Sequence, residues 1–276
     1  MAMNSVNTNV GAMIALQNLQ VTNSELTQVQ NRINTGKKVS SAKDNGAVWA
    51  IAQGQRAEIG ALNAVKDSLQ RGQSAVDVSL AAGESVSDLL TQLKEKALSA
   101  TDTSLTSSAR SALNEDFKSI RDQIATVVSN AAFNGVNLID GSSTGGFAAL
   151  ANVSGSTITV ASEDMSLSGS VVTLGASAVI DTASAATASL ALVSASIDNV
   201  GASLAKLGTG SNSLGTHLTF VGKLQDTLEA GVGNLVDADL AKESARLQAL
   251  QTKQQLGVQA LSIANSSTSI LLGLFR

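Results

Sequence analysis

The chain has 276 residues, of which 43% are apolar and 2% aromatic, and its net charge is −4. The length is sufficient for one or two domains with a buried core, whereas the low charge excludes the basic face that nucleic-acid binding requires. The absence of cysteine excludes disulfides and Cys/His zinc sites, and the strongest apolar run, Ile270 to Phe275, is far shorter than a membrane span of roughly 20 residues.

The first predicted helix has a seam of positions spaced alternately by three and four residues, as in coiled coils. This seam consists of Leu16, Leu19, Asn23, Leu26, Gln30 and Ile33. Polar residues at such positions lower stability and fix register. The pattern stops at Asn34 to Gly36, which is typical of a helix end. We therefore place the edge of an N-terminal assembly segment, residues 1–36, at this point.

Residues 37–233 are predicted to form a helical body. Ser41 to Asp44 has the spacing of a helix start, and the long helix that follows repeats every seven residues. Its heptad positions are Leu62, Leu69, Val76, Gly83, Leu90 and Ala97. The Ser/Thr cluster from Thr101 to Ser108 should end this helix, because such side chains compete for backbone hydrogen bonds. A third helix is predicted from about Ser108 to Asn130.

Short β-hairpins are predicted after the third helix. Asn134-Gly135 is typical of a tight turn, and residues from about 141 to 182 are rich in Gly, Ser, Thr and Val, with alternation at Thr157 to Val160. A second heptad helix then follows, with Val193, Val200, Leu207, Leu214, Val221, Leu228 and Leu235. The glycine pairs Gly208/Gly210 and Gly231/Gly233 are interpreted as helix breaks. The fold class is therefore mainly α, with long coiled-coil-like helices and a small β-hairpin region.

Residues 234–276 form the C-terminal segment, and its predicted seam is again half polar. Leu240, Leu247, Gln254, Leu261, Thr268 and Phe275 recur every seven residues, with Ser244, Gln251, Val258, Asn265 and Leu272 between them. Asp237 and Asp239 are interpreted as acidic residues that favour a helix start. Two half-polar seams at opposite ends indicate that the terminal helices meet. The pattern fits an assembly element and also an ordinary helix hairpin that closes a bundle.

Several separated motifs in order resemble bacterial flagellins of the short type, without large outer domains. They are NTN at 7–9, RINTGKKV at 32–39, AKDN at 42–45, FNG at 133–135, LIDG at 138–141, DADLAKE at 237–243 and LLGLFR at 271–276. The resemblance implies a subunit of the extracellular flagellar filament that acts in motility, with terminal helices that line the filament interior. It assigns the assembly interface to Leu16, Leu19, Leu26, Ile33, Leu240, Leu247, Val258, Leu261, Leu272 and Phe275.

The resemblance also implies partners. The subunit would polymerise with itself, and with related flagellins in mixed filaments. The resemblance implies export of the unfolded subunit through the flagellar export apparatus with the help of a flagellin chaperone. The N-terminus lacks the basic region of a cleavable secretory signal, as this route would lead us to expect. The subunit would also meet the filament cap and hook-associated proteins, without nucleic acid or membrane insertion. The alternative within this resemblance is a hook–filament junction protein, which has similar terminal helices.

Two further expectations concern single residues. Many flagellins that the animal Toll-like flagellin receptor detects carry Arg where this chain has Lys94, and Leu where it has Lys96. Lysine lacks the planar donor fork of arginine, so we expect weak detection at Lys94 and Lys96. His217 is the single histidine and has no nucleophile motif beside it, so we expect no catalytic, cofactor or metal site.

Overall fold

A computed structural model describes the backbone of residues 8–273 and the side chains of residues 8–266. In this range the chain forms five α-helices, α1 Val10–Thr35, α2 Gly46–Ala100, α3 Ser107–Asn130, α4 Ala183–Val236 and α5 Leu240–Gly273. Four short strands, β1 Ala132–Phe133, β2 Val136–Asn137, β3 Phe147–Leu150 and β4 Thr157–Val160, pair as two antiparallel hairpins. The predicted fold class, mainly α with a small β-hairpin region, is confirmed.

The chain divides into two compact units. The first contains the residues up to Ala57 and those from Thr227 onward, and therefore includes α1 and α5. The second contains Glu58–Asp226, with α3 and both hairpins. The long helices α2 and α4 contribute residues to both units, so each unit boundary falls inside a helix.

The start of α2 differs from the predicted start at Ser41. The carboxylate of Asp44 accepts hydrogen bonds from the backbone N–H groups of Ser40 and Ser41, both at 2.9 Å, and so folds a turn before the helix. The helix itself begins at Gly46, where the side-chain oxygen of Asn45 accepts a hydrogen bond from the backbone N–H three residues later. The prediction was wrong because Asp44 stabilises the turn and Asn45 caps the helix.

The core of the second unit contains the two predicted heptad lines. Each predicted α2 position from Leu62 to Ala97 is buried. On α4, Val193, Val200, Leu207, Leu214 and Val221 are buried. By length and composition α4 could cross a membrane, but its heptad line lies inside the protein, as in a core helix. The predicted breaks at Gly208/Gly210 and Gly231/Gly233 are wrong. A helical glycine costs only about 1 kcal/mol relative to alanine, which burial of the apolar line offsets.

The hairpins are shorter than predicted. Asn134 and Gly135 have φ angles of 49° and 80° and form the predicted turn between β1 and β2. The strand predicted at Thr157 to Val160 is β4. Residues 161–182 contain no strand and follow an irregular path. Their backbone groups bond to loop atoms instead, as in the 2.8 Å hydrogen bond from the N–H of Met165 to the carbonyl of Ile139.

Candidate assembly interface

Helices α1 and α5 lie against each other through a seam that only partly matches the predicted one. On α1, Thr22 and Val29 are buried, and Leu19, Leu26 and Ile33 are half-buried beside them. The predicted line of Leu19, Leu26 and Ile33 is therefore in the seam. The second predicted line, which consists of Leu16, Asn23 and Gln30, is displaced by one residue. The inward positions are instead Ala15, Thr22 and Val29, and Leu16 is 46% exposed.

The same one-residue error occurs on α5. Leu247, Gln254 and Leu261 are half-buried, as the predicted heptad requires. The intervening line consists of Glu243, Leu250, Gly257 and Ala264 in place of Ser244, Gln251 and Val258. Leu240 and Val258 are 49% and 53% exposed. Leu272 lies in α5 with its side chain outside the described part, and Phe275 lies outside the described residues.

Polar contacts cross the seam along its length. Arg32 Nη1 lies 3.1 Å from Glu243 Oε1, and their side chains are 23% and 11% exposed. Farther along, Gln254 Nε2 donates a 2.7 Å hydrogen bond to Asn23 Oδ1. Near the start of α1, Asn9 Nδ2 donates a 2.8 Å hydrogen bond to the backbone carbonyl of Ala264. These partners satisfy part of the polar groups of the half-buried seam, whereas the buried Arg32 Nε and Glu243 Oε2 have no hydrogen-bond partner.

The chain segments at the end of the seam are joined by backbone hydrogen bonds. Gly36 has a left-handed φ of 68° and ends α1. The next residue, Lys37, forms an antiparallel bridge with Asp237. The N–H of Lys38 donates a 2.7 Å hydrogen bond to the backbone carbonyl of Val236. The bridge leaves no signal in the sequence, because a single pair of extended residues has no periodic pattern. The bridge fixes the two connections to α1 and α5 side by side.

The start of α5 agrees with the prediction for its acidic residues. Asp239 Oδ1 accepts hydrogen bonds from the N–H groups of Ala241 and Lys242, at 3.0 and 3.1 Å. This is the geometry of a helix N-cap. Asp239 therefore stabilises a helix start rather than forming a carboxylate pair with Asp237.

Large apolar side chains also lie on the outside of the α1/α5 pair. On α1 and α5 the exposed ones are Val10, Met13, Ile14, Leu16, Val21, Leu240, Leu256, Val258 and Ile263. Of these, only Leu16, Leu240 and Val258 were predicted as interface residues. A groove of about 400 Å³ runs beside the seam, and Ala15, Leu19 and Gly257 are among the residues that line it. We refer to these nine exposed side chains as the outer apolar surface.

The residues proposed for receptor detection lie on α2. Lys94 is exposed. Lys96 Nζ lies 2.7 Å from Asp116 Oδ2 on α3, and the two side chains are 35% and 57% exposed. The ammonium group of Lys96 is therefore held by a partner within the same chain.

His217 and the loop carboxylate Asp102 each have hydrogen-bond partners nearby. Among the described residues, no three His, Asp or Glu side chains lie together as a metal site would require. The ring Nε2 of His217 lies 2.6 Å from the carbonyl oxygen of Ala151, which gives this histidine a structural partner. Hydrogen bonds from the N–H and hydroxyl of Ser104 lower the pKa of Asp102, an exposed loop carboxylate. These contacts stabilise local turns.

Comparisons with known proteins agree over most of the chain. The model of the bacterial flagellin N-terminal helical region matches residues 6–144, and that of the C-terminal helical region matches residues 190–275. The chain is 61% identical to flagellin FljN and 60% identical to flagellin FljM of Caulobacter vibrioides, each over the full length of both proteins. It is 39% identical to a flagellin of Brucella melitensis, with 99% of this chain and 100% of that one covered.

Two solved structures share the fold. The crystal structure of Bacillus cereus flagellin has a TM-score of 0.50 at 21% identity, over 56% of this chain and 88% of that one. A putative flagellar hook-associated protein from Vibrio parahaemolyticus has a TM-score of 0.58 at 16% identity, over 70% of this chain and 100% of that one. Both likenesses show the fold alone, whereas the full-length matches to flagellins distinguish a filament subunit from a junction protein. The chain therefore belongs to the bacterial flagellin family, the structural, non-enzymatic subunits of the extracellular flagellar filament.

Proposed function

We propose that the α1/α5 pair forms the contacts through which this flagellin polymerises, and that neighbouring copies cover its outer apolar surface. The proposal rests on the exposure of large side chains such as Ile263, Met13 and Val10, at 70%, 65% and 57%. Single exposed apolar residues are common, but a series of them along both helices of one pair is typical of an interaction surface. In an open helical polymer this surface meets a different surface of the next copy.

The predicted interface residues then have two roles. Leu19, Leu26, Ile33, Leu247 and Leu261 are half-buried between the helices, so they hold α1 on α5. Leu16, Leu240 and Val258 are exposed and belong to the outer apolar surface, so they contact neighbouring copies. Leu272 and Phe275 remain proposed interface residues on the basis of the sequence.

We also propose the division into an inner assembly domain of residues 1–36 and 234–276 and a body of residues 37–233. Support comes from the bridge between Lys37 and Asp237, which joins the two connections at this point. The half-polar seam contains few large buried apolar side chains. Ordering the backbone costs roughly 1–2 kcal/mol per residue, so the inner domain of a free subunit stays mobile until neighbours dock.

Limited proteolysis compares the free subunit with the filament. The expected result is rapid cleavage within residues 1–36 and 234–276 in dilute monomer and protection of both segments in the polymer, while residues 58–226 resist in both states. Equal resistance of the two terminal segments in monomer and filament would contradict the proposal.

The contribution of the outer apolar surface is tested with Ile14→Ser. Fully burying such a side chain contributes about 1.5–3 kcal/mol, and Ile14 is 55% exposed. Covering the exposed part therefore contributes about 0.8–1.7 kcal/mol, and its loss should raise the concentration needed for seeded growth roughly 4- to 16-fold. Val153→Ser is the matched control, because Val153 is 46% exposed in the β3–β4 loop. The control should polymerise like the parent. Growth of Ile14→Ser at the parent's concentration would show that neighbours do not cover α1.

Export in the unfolded state, with a flagellin chaperone and through the flagellar export apparatus, is supported by composition. The chain has no proline and no cysteine, so refolding outside the cell requires neither slow X-Pro isomerisation nor disulfide formation. We also propose contacts with the filament cap and hook-associated proteins, and mixing with related flagellins, on the basis of family membership. A secretion assay on a strain without the flagellar chaperone should show less exported protein.

Weak detection by the animal Toll-like flagellin receptor is proposed for Lys94 and Lys96. Lys94 cannot form a bidentate contact, and Lys96 places a charge, paired with Asp116, where an apolar contact is expected. Lys94→Arg with Lys96→Leu should increase the signal of purified monomer on receptor-bearing cells. Lys118→Arg, which leaves a surface cation in place, is the control. A strong signal from the parent protein would contradict the proposal.

A further inference from the structure

We propose that the polar residues of the α1–α5 seam fix the register of the two helices and exclude pairings shifted by one heptad. The register determinant is the largely buried pair Arg32–Glu243, assisted by the pair Asn23–Gln254. This inference concerns the contact between α1 and α5 within the structure. It does not depend on the proposed covering of the outer apolar surface by other copies.

The three polar contacts define a single antiparallel alignment. Along α1 they occur at Asn9, Asn23 and Arg32, and their partners occur in the reverse order at Ala264, Gln254 and Glu243. Successive contacts are 14 and 9 residues apart along α1 and 10 and 11 residues apart along α5. One alignment therefore satisfies all three contacts together.

The heptad spacing of the seam also permits pairings that are shifted by seven residues. A shift of seven residues, about 10.5 Å along a helix axis, moves each seam residue onto the position of another seam residue. On α1 the shift exchanges Ala12, Leu19, Leu26 and Ile33, and on α5 it exchanges Leu247, Gln254 and Leu261. Leucine replaces leucine only where Leu19 and Leu26 exchange, because each shift on α5 exchanges Gln254 with a leucine. The shifted pairings therefore keep the heptad spacing of the seam but lose part of its apolar contact.

Charge distinguishes them. Leu250 is seven residues after Glu243, so one shift places Arg32 opposite an apolar residue. Glu25 is seven residues before Arg32, so the opposite shift places Glu243 opposite a second carboxylate. Glu243 is only 9% exposed, and an unpaired or like-paired charge at such a position is strongly unfavourable.

The geometry of the pair favours a role in specificity over one in stability. Arg32 and Glu243 make one contact of 3.1 Å, and the buried Arg32 Nε and Glu243 Oε2 have no hydrogen-bond partner. A pair optimised for stability would satisfy both atoms through a bidentate contact. A buried ion pair often contributes less to stability than apolar residues of similar volume, and register control is the best-supported reason for keeping one.

Disulfide trapping reads the register directly, because the parent chain has no cysteine. A Cβ built on Gly257 lies 4.0 Å from the Leu19 Cβ, within the roughly 3.5–4.5 Å range of a disulfide. Leu19→Cys with Gly257→Cys therefore reports the observed register. Ala12→Cys or Leu26→Cys, each with Gly257→Cys, report the two shifts.

Each cysteine pair is placed in the full chain with three versions of the ion pair. These are the parent, Arg32→Leu with Glu243→Leu, and the exchange Arg32→Glu with Glu243→Arg. Samples are oxidised as filaments grown from parent seeds with an excess of parent subunit, so a variant that polymerises poorly alone is still incorporated and measured. Nonreducing gels separate links within one chain from links between chains. Sedimentation of the same samples measures polymer yield, which tests the proposed outer apolar surface separately.

The parent and the charge exchange should each give at least a ~10-fold excess of the observed-register link, and the double leucine variant an excess below ~3-fold. The exchange is expected to match the parent because opposite charges attract in either order. If the double leucine variant also kept a ~10-fold excess of the observed-register link, the inference would be overturned. An exchange variant that forms shifted links as readily as the double leucine variant would also overturn it.

Discussion

Replacing Gly210 by alanine should destabilise the second unit, although the same change at Gly208 should stabilise it. A Cβ on Gly210 would lie 2.7 Å from Cγ1 and 3.1 Å from Cγ2 of Val160. Val160 is 5% exposed at the end of β4, and its branched side chain is stiff about χ1. It cannot move aside without its strand. A Cβ on Gly208 would meet no atom within 4 Å.

The two substitutions differ in one energetic contribution. Alanine in place of helical glycine gains about 0.5–1 kcal/mol, which both variants share. Overpacking against Val160 costs about 1–3 kcal/mol and applies to Gly210→Ala alone. We therefore expect the free energy of unfolding to rise by about 0.5–1 kcal/mol for Gly208→Ala and to fall by about 0.5–2 kcal/mol for Gly210→Ala.

Thermal unfolding followed by far-UV circular dichroism measures this difference. Tryptophan fluorescence is unsuitable, because Trp49 belongs to the other unit. For a unit of this size, 1 kcal/mol corresponds to a Tm shift of roughly 2–4 °C, so the two variants should differ by about 3 °C or more. Hydrogen exchange in β4 localises the effect. If Gly210→Ala were as stable as Gly208→Ala, the close approach of β4 to α4 would not explain why residue 210 is a glycine.

Acid should loosen the turn before α2, because hydrogen bonds from the Ser41 N–H, the Ser40 hydroxyl and the Ser40 N–H lower the pKa of Asp44 from its ordinary value of 3.8. A lowered pKa gives stabilisation that is complete above the unfolded value and is lost as the pH falls through the folded one. Amide exchange of the turn should therefore accelerate below pH 3.8, and Asp44→Asn should remove that acid dependence; an unchanged profile in the variant would contradict it. In the core, Phe117→Ala should lower the free energy of unfolding by about 3–5 kcal/mol, measured by chemical denaturation, because Phe117 is fully buried. The control is Leu98→Ala, at an exposed position of α2, which should change this free energy by less than ~0.5 kcal/mol. Similar losses in the two variants would refute the assigned core.

Periodicity predicted the helices better than it predicted which side of each helix faces its partner. The terminal helices show this most clearly, because one seam line was right on each helix and the other was displaced by one residue. Ile14 and Val21 are apolar but exposed, and the buried Thr22 is polar. With apolar residues on several sides, a hydrophobic pattern cannot identify the side that packs. The ambiguity is itself a consequence of a helix that bears an outer apolar surface.

The amino-acid sequence by itself determined the long helices, the ends of α1 and α3, the turn at Asn134-Gly135 and the flagellin family, because these depend on residues a few positions apart. The tertiary structure decided the orientation of the terminal seam, the pair Arg32–Glu243 and the role of Gly210. Arg32 and Glu243 are 211 residues apart in the chain, and Gly210 is explained only by the distance to Val160. Local pattern records neighbours along the chain, whereas burial and close approach depend on elements that meet only in the folded molecule.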